Sequence, residues 1–189
     1  VDMDRGRAYV VFGRGPGAPV DLADVAPVAG GIALDGLSAS EWAGAAVSLI
    51  GDLNGDGRGE LLVGAPFATD GEVDYAGRAY LVYGRGAGDL AAPDVVFRAN
   101  GTLSPELGWS IQAIGDFNGD GAPDLAIGAP QTKIAPNLRE GRVYVVFGAP
   151  DLPAEVELSA LVDGGRGLIL EGEPQLYCNA GLVVAPAGD

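Results

Sequence analysis

Acidic and amide side chains recur at fixed spacing in two nine-residue segments of this chain. Residues 52–60 read Asp-Leu-Asn-Gly-Asp-Gly-Arg-Gly-Glu, and residues 116–124 read Asp-Phe-Asn-Gly-Asp-Gly-Ala-Pro-Asp. Each segment offers side-chain oxygens at its first, third, fifth and ninth positions, and has a glycine at the sixth, where the chain must bend sharply. Oxygen-only ligands around a tight turn suit a hard cation that accepts about six to eight ligands. The spacing therefore predicts a calcium (Ca2+) site in each segment.

The predicted ligands are four side chains and one main-chain carbonyl in each loop. In the first loop they are the side chains of Asp52, Asn54, Asp56 and Glu60 and the carbonyl of Arg58. In the second loop they are the side chains of Asp116, Asn118, Asp120 and Asp124 and the carbonyl of Ala122.

Two other interpretations of these segments are weaker. Asp, Asn and Gly also cluster in metal-free hairpin turns, because they tolerate left-handed backbone and bond to their own main chain. Such a turn needs no carboxylate at the ninth position, yet both copies keep one. An EF-hand loop needs Glu at its twelfth position and helices on both sides. Val63 and Ile127 stand there instead, between segments that read as strands.

The loops belong to a longer repeat. Gly-Arg-Ala-Tyr-Val-Val-Phe-Gly at 6–13 recurs as Gly-Arg-Ala-Tyr-Leu-Val-Tyr-Gly at 77–84 and Gly-Arg-Val-Tyr-Val-Val-Phe-Gly at 141–148. Leu-Leu-Val-Gly-Ala-Pro at 61–66 is echoed by Leu-Ala-Ile-Gly-Ala-Pro at 125–130. Self-similarity with a period of about 65 to 75 residues indicates stacked or radial supersecondary units.

Short apolar segments bounded by Gly, Pro and Asp predict an all-β fold, since none shows sustained helical periodicity. We predict strands at 44–50, 60–65, 77–83, 94–98, 108–114, 124–128, 141–147 and 166–170. The run at 79–83 is almost continuously apolar, which is typical of a strand buried on both faces. Each metal loop then connects the first and second strands of a unit. Four antiparallel strands repeated around an axis make a β-propeller blade.

These motifs resemble FG-GAP repeats. The resemblance rests on Phe-Gly at 12–13 and 147–148, Gly-Ala-Pro at 64–66 and 128–130, and the two acidic loops. One departure is Tyr83, which stands where the motif has Phe. FG-GAP repeats build the β-propeller at the head of integrin α chains and of related bacterial surface proteins. The resemblance implies calcium loops on one face of the propeller and adhesive contacts on the opposite face.

From the repeat, we expect residues 1–189 to form a single propeller segment. We expect blade ends at 1–35, complete blades at 44–98 and 108–170, and the start of a further blade at 180–189. Integrin-like propellers have seven blades by this resemblance, so we expect these two complete blades and their flanking half blades to be part of a larger propeller. Several copies closing a ring is the alternative. Asp189 would be the first ligand of a third loop.

Composition narrows the functional classes. Eleven basic and 26 acidic residues give a net charge of −15, which argues against nucleic acid and anionic membranes as partners. No apolar run is long enough for membrane insertion. The chain has no histidine, which removes the usual triads and imidazole chemistry, and we expect no enzyme activity. Calcium is abundant outside the cytosol, which favours an extracellular, cell-surface or periplasmic location.

The sequence thus predicts a calcium-binding propeller that acts as an adhesion or protein-interaction scaffold. Its expected partner is a protein, or the other subunits of a larger assembly. A glycan-binding, lectin-like propeller is the first alternative, suggested by Trp42 and Trp109, although we expect both to pack in loops or between strands. A non-catalytic propeller attached to an enzyme domain is the second alternative.

Overall fold

The computed structural model describes residues 4–13, 15, 17, 19–25, 30–71, 73–85, 92–99, 105–135, 138–173 and 178–187. Their secondary structure is almost entirely β, as the sequence predicts. The strands are β1 (Arg7–Val11), β2 (Gly31–Asp35), β3 (Ala46–Leu49), β4 (Leu61–Ala65), β5 (Arg78–Val82), β6 (Val95–Arg98), β7 (Ser110–Gly115), β8 (Asp124–Ala129), β9 (Lys133–Ala135), β10 (Leu138–Arg139), β11 (Arg142–Val146), β12 (Glu155–Glu157) and β13 (Gly167–Glu171). Short 3-10 helices lie at Leu22–Asp24 and Leu158–Ala160.

The strands form two large sheets whose cores are four antiparallel strands each. The first sheet has the order β6-β5-β4-β3, and the second has the order β13-β11-β8-β7. All eight strands predicted for the two repeats are present in these sheets. β1 and β2 form a separate antiparallel pair. This arrangement is compatible with part of a β-propeller, in which FG-GAP repeats form the blades.

Two features depart from the simple four-stranded pattern. The segment between β11 and β13 reaches back to the first sheet, where β12 pairs in parallel with the outer strand β6. The first sheet therefore has five strands. In addition, β9 and β10 form a small hairpin between β8 and β11. Neither was predicted, because both are too short to show an alternating pattern.

The apolar core lies between the sheets. Leu62, Leu81 and Phe97 of the first sheet pack with Leu125 and Ile127 of the second. Burying such side chains contributes about 25 cal/mol for each Å² of apolar surface removed from water. This interface therefore holds the two repeats together.

The first sheet is buried on its other face as well. Val63 and Tyr80 point away from the second sheet and pack with Ala8, Ile32 and Leu34 of the β1-β2 pair. Alternate residues of β4 thus enter two different cores, which explains the almost continuous apolar sequence of the strand.

Successive units meet through a repeated main-chain contact. Parallel bridges join Gly6 to Ala43, Gly77 to Leu107, and Gly141 to Ala180. Gly77 has a φ of +74°, and a Cβ atom there would lie 2.2 Å from the nitrogen of Leu107. The glycine that opens each Gly-Arg motif is therefore required by close approach of two main chains.

Among the described residues, no helix is long and apolar enough to cross a membrane.

Candidate metal site

The two acidic loops are the connections between the first and second strands of each sheet. The first joins β3 to β4, and the second joins β7 to β8. The glycines at the sixth positions, Gly57 and Gly121, have φ values of +85° and +93°. A side chain disfavours this left-handed backbone, which explains why glycine occupies both positions.

The first aspartate of each loop organises the turn around itself. Asp52 Oδ1 accepts hydrogen bonds from the main-chain N–H of Gly55 at 2.8 Å and of Asp56 at 3.0 Å, and Oδ2 accepts from Gly57 at 2.7 Å. Asp116 makes the corresponding three bonds at 2.8, 3.0 and 2.8 Å. These bonds close the turn in the same way in both loops, so the first six residues of the two loops share one conformation.

The amide at the third position supports the same turn. Asn54 Oδ1 accepts from the main-chain N–H of Asp56 at 3.0 Å, and Asn118 Oδ1 accepts from Asp120 at 2.9 Å. In the second loop, the Ala122 N–H and then the Asn118 side chain lower the pKa of Asp120. The carboxylate of Asp120 is thus held ionised by hydrogen bonds, which is the form that binds a cation.

Three carboxylates converge in the first loop. Oxygen atoms of Asp52, Asp56 and Glu60 all lie within 4.8 Å of one another. Asp52 and Asp56 are exposed, whereas Glu60 is fully buried at the floor of the loop. Like charges at this separation repel one another, and a divalent cation between them would remove the repulsion.

Glu60 has one satisfied and one unsatisfied oxygen. Oε2 accepts from the N–H of Leu53 at 2.6 Å, whereas the buried Oε1 has no hydrogen-bond partner among the described residues. Burial raises the pKa of Glu60; the N–H groups of Leu53 and Gly84 oppose that rise, and the charges of Asp52 and Asp56 add to it. A buried carboxylate oxygen without a partner is costly, and a bound cation is one remedy for that cost.

The second loop places its ninth residue differently. Asp124 is also fully buried, but both of its oxygens are used by the protein. Oδ2 accepts from the N–H of Phe117 at 2.8 Å and of Asn118 at 3.1 Å, and Oδ1 accepts from Gly148 at 2.8 Å. Within the described part of the chain, only the first loop brings three carboxylates within the 4.8 Å limit.

The donor set in both loops consists of oxygen atoms only. Carboxylate, amide and carbonyl oxygens suit calcium or magnesium, and a flexible turn with many ligands suits calcium better, since magnesium demands a stricter octahedron. The carbonyls of Arg58 and Ala122 lie in the same turns. The residues of the first loop therefore fit a calcium ion. Two observations support this fit: all the donor atoms are oxygens, and Oε1 of Glu60 has no hydrogen-bond partner among the described residues.

An aromatic cluster lies at the other end of the strands. Trp42, Tyr75 and Trp109 each stand edge-on to Phe67, with ring centroids 4.8, 5.5 and 6.0 Å from it. The side chains of Trp42, Tyr75 and Trp109 are exposed to solvent. Phe67 follows β4 whereas the first acidic loop precedes it, so the cluster and the loop occupy opposite ends of that strand.

The cluster borders a cavity of about 380 Å3 lined by Ser40, Trp42, Phe67, Tyr75 and Glu106. Trp42, Tyr75 and Glu106 have φ values of 55°, 56° and 55°. Non-glycine residues in this region carry strain, and such strain concentrates at functional sites. The sequence indicates Trp42 and Trp109 as candidates but gives no sign of Phe67 and Tyr75, which only the fold brings beside them.

Comparison with known proteins identifies the repeat. The family model of the FG-GAP repeat matches residues 43–82 and 107–146. Each match starts at an inter-repeat bridge, at Ala43 or Leu107, and runs to the end of β5 or β11. The matches therefore cover the two acidic loops and three strands of each large sheet, β3 to β5 in the first and β7, β8 and β11 in the second.

Curated relatives include two kinds of protein. The chain is 43% identical over 108 residues to phosphatidylinositol-glycan-specific phospholipase D of Bos taurus, covering 52% of the chain and 12% of that protein. It is 41% identical over 104 residues to the Homo sapiens protein of the same name, covering 52% of the chain and 12% of that protein. It is 34% identical over 116 residues to integrin alpha-6 of Gallus gallus, covering 61% of the chain and 10% of that protein. The chain thus spans about a tenth of the length of these relatives. With two tandem matches and the corresponding strands in place, the chain contains two FG-GAP repeats, at residues 43–82 and 107–146.

Proposed function

We propose that the chain is a calcium-binding β-propeller segment that acts as an extracellular adhesion or protein-interaction scaffold. One observation carries the calcium assignment: the buried, unpartnered Oε1 of Glu60 converges with the carboxylates of Asp52 and Asp56. The second loop is assigned by its matching sequence and by its matching turn around Asp116.

Calcium would stabilise the hairpins and would perform no chemistry of its own. The ion would neutralise the acidic side chains of each loop, so that their mutual repulsion no longer opposes folding. Because the loop forms only in the folded chain, binding adds stability through mass action. The residues that would hold it in the first loop are Asp52, Asn54, Asp56 and Glu60 with the carbonyl of Arg58. Those in the second are Asp116, Asn118, Asp120 and Asp124 with the carbonyl of Ala122.

A terbium titration tests this assignment, since terbium substitutes for calcium at oxygen sites and its luminescence reports binding. The parent chain should bind terbium and release it to calcium. Asp56→Ala should remove binding at the first loop and Asp120→Ala at the second. Asp163→Asn is the matched control, because Asp163 is an exposed acid outside both loops. Absence of terbium binding in the parent would rule out the metal function.

The interaction role rests on the end of the strands opposite the calcium loops. Exposed aromatic rings around Phe67 form a patch that water solvates poorly, and such patches mark binding sites for partners. A protein partner, or another subunit of a larger assembly, is the proposed occupant. The extracellular or cell-surface location follows from the calcium requirement and agrees with the kinds of relatives found.

A glycan ligand is the second candidate function. Trp42 and Trp109 are both exposed, and Trp42 lines a cavity together with Phe67 and Glu106. An aromatic surface with a few polar groups is a common design for small-ligand sites. Binding on a glycan array that is lost in both Trp42→Ala and Trp109→Ala would favour this candidate over a protein ligand.

A non-catalytic propeller joined to an enzyme domain is the third candidate. The similarity to the two phospholipase D proteins favours it, and it covers only 12% of each. The complete coding sequence would test this candidate by revealing whether a catalytic domain accompanies the repeats.

A further inference from the structure

We propose that the two loops respond differently to calcium, and that the residue at the ninth position sets this difference. The first loop depends on the ion to satisfy Glu60, whereas the second loop is already held by hydrogen bonds to Asp124. This inference rests on the proposed function, since it assumes that both loops bind calcium.

The second loop is self-sufficient without metal. Asp124 receives three main-chain N–H groups: two from its own loop, at Phe117 and Asn118, and one from Gly148, just beyond β11. A carboxylate has about four acceptor positions, so three of them are filled by the protein. These bonds join the start of β8 to the turn and to the end of the third strand.

The first loop lacks this arrangement. Glu60 has one more methylene than Asp124 and receives one hydrogen bond of normal geometry, from the N–H of Leu53 at 2.6 Å; the N–H of Gly84 lowers the pKa of Glu60 less than Leu53 does and makes no such bond to it. Gly84 occupies the place that corresponds to Gly148, yet Oε1 of Glu60 has no hydrogen-bond partner among the described residues. The longer side chain instead brings its carboxylate within 4.8 Å of Asp52 and Asp56. Without an ion, this loop contains a buried carboxylate with unmet hydrogen-bonding capacity beside two further negative charges.

The first loop also touches the junction between the repeats. Leu53 follows the first ligand and is buried in the core shared by the two sheets. Its Cδ1 lies 3.0 Å from the position that a Cβ on Gly148 would take. The N–H of this same leucine donates to Glu60. Occupancy of the first loop is therefore linked to packing between the repeats, through Leu53.

Two substitutions separate the loops by the sign of their effect without metal. Glu60→Gln removes a negative charge from the acidic cluster and keeps an oxygen that can accept from Leu53. Its melting temperature in chelator should equal or exceed that of the parent. Asp124→Asn replaces an acceptor oxygen with an NH2 group, which leaves at least one of the three N–H groups without its acceptor. Its melting temperature in chelator should fall by about 3–10 °C.

The experiment measures melting of the parent, Glu60→Gln and Asp124→Asn, each in chelator and in saturating calcium. Glu60→Gln should lose most of the calcium-dependent rise in melting temperature. Asp124→Asn should keep at least half of it. The exchanges Glu60→Asp and Asp124→Glu are matched controls for side-chain length. Glu60→Asp should make the first loop less dependent on calcium, and Asp124→Glu should make the second loop more dependent on it.

The outcomes are distinguishable. One outcome is that the parent binds two terbium ions while Glu60→Gln and Asp124→Asn lose equal parts of the calcium-dependent rise in melting temperature and change the melting temperature in chelator in the same direction. That result would overturn the inequivalence of the loops and leave the calcium function intact. No terbium bound by the parent would overturn both. If Asp124→Asn does not fold, Glu60→Gln decides alone. The proposal is supported if Glu60→Gln binds one ion fewer and its melting temperature in chelator is no lower than that of the parent. A lower melting temperature contradicts the proposal.

Discussion

Leu53 and Glu60 connect the first acidic loop to the core of the molecule. The N–H of Leu53 donates to Glu60 Oε2 at 2.6 Å, while its side chain is buried between the two sheets. The corresponding residue of the second loop, Phe117, is exposed. A proposed metal ligand and a core residue are thus joined by a single hydrogen bond in the first loop. Changes at this loop should be felt in the packing between the repeats.

Removal of calcium should lower the melting temperature of the chain. Calcium at about 100 times its dissociation constant adds about 2.7 kcal/mol for each site. In a chain of this size, that corresponds to about 5–10 °C. Differential scanning calorimetry in calcium and in chelator measures the shift. Magnesium at the same concentration is the control. It should restore less of the lost melting temperature, because it requires a strict octahedral arrangement of ligands that this loop suits poorly.

Gly77→Ala should destabilise the junction between the repeats. Its Cβ would lie 2.2 Å from the nitrogen of Leu107, and its φ of +74° disfavours any side chain. We expect a loss of about 3–5 kcal/mol in the free energy of unfolding. Gly71→Ala is the matched control, since Gly71 has a φ of +58° and open space around it. That change should cost only about 1–2 kcal/mol in urea unfolding, and equal losses would argue against the close contact.

The buried Glu41 should stabilise the packing of the β1-β2 pair against the first sheet. It accepts hydrogen bonds from the N–H of Leu37 at 2.6 Å and of Ser38 at 3.0 Å, and from the hydroxyl of Tyr80 at 3.1 Å. Tyr80→Phe removes one of these bonds and should cost about 1 kcal/mol. Glu41→Ala removes the acceptor of all three bonds, including that of the buried Tyr80 hydroxyl, and should cost at least about 3 kcal/mol. Similar losses in the two variants, measured by urea unfolding, would contradict this account of the network.

Glu106, beside the aromatic cavity, should make stability depend on pH. Burial raises its pKa, while the charges of Arg139 and Lys133 oppose that rise. A raised pKa in the folded state means that the stability associated with the protonated form is lost as pH rises through that pKa. Glu106→Gln should therefore match the parent near pH 4 and become increasingly more stable than it toward pH 7. A difference in melting temperature that does not change with pH would count against this burial effect.

Much of the fold was predictable from local patterns. Repeated apolar segments between Gly-rich turns predicted eight of the nine strands of the two main sheets, because strand and turn preferences agree throughout each repeat. The parallel addition of β12 was not predictable. Its three residues acquire strand character only by meeting the free edge of β6, and this contact joins residues far apart in sequence.

The residue types of the candidate site could be predicted from the sequence, but the contacts of each side chain could not. Spacing predicted the candidate ligand positions, and the left-handed glycines at the sixth positions agree with the expected turn. The different surroundings of Glu60 and Asp124 depend on one methylene and on N–H groups from other strands, which spacing does not reveal. The aromatic cluster required the fold for the same reason, because Phe67 and Tyr75 lie in a different loop from Trp42 and Trp109.

Isothermal titration calorimetry with calcium tests the central claim most directly. The parent chain should bind two calcium ions, and the double variant Asp56→Ala with Asp120→Ala should bind none while keeping its β-sheet circular dichroism. Asp163→Asn should bind as the parent does. A parent that releases or absorbs no binding heat at millimolar calcium, or a folded double variant that still binds two ions, would contradict the account.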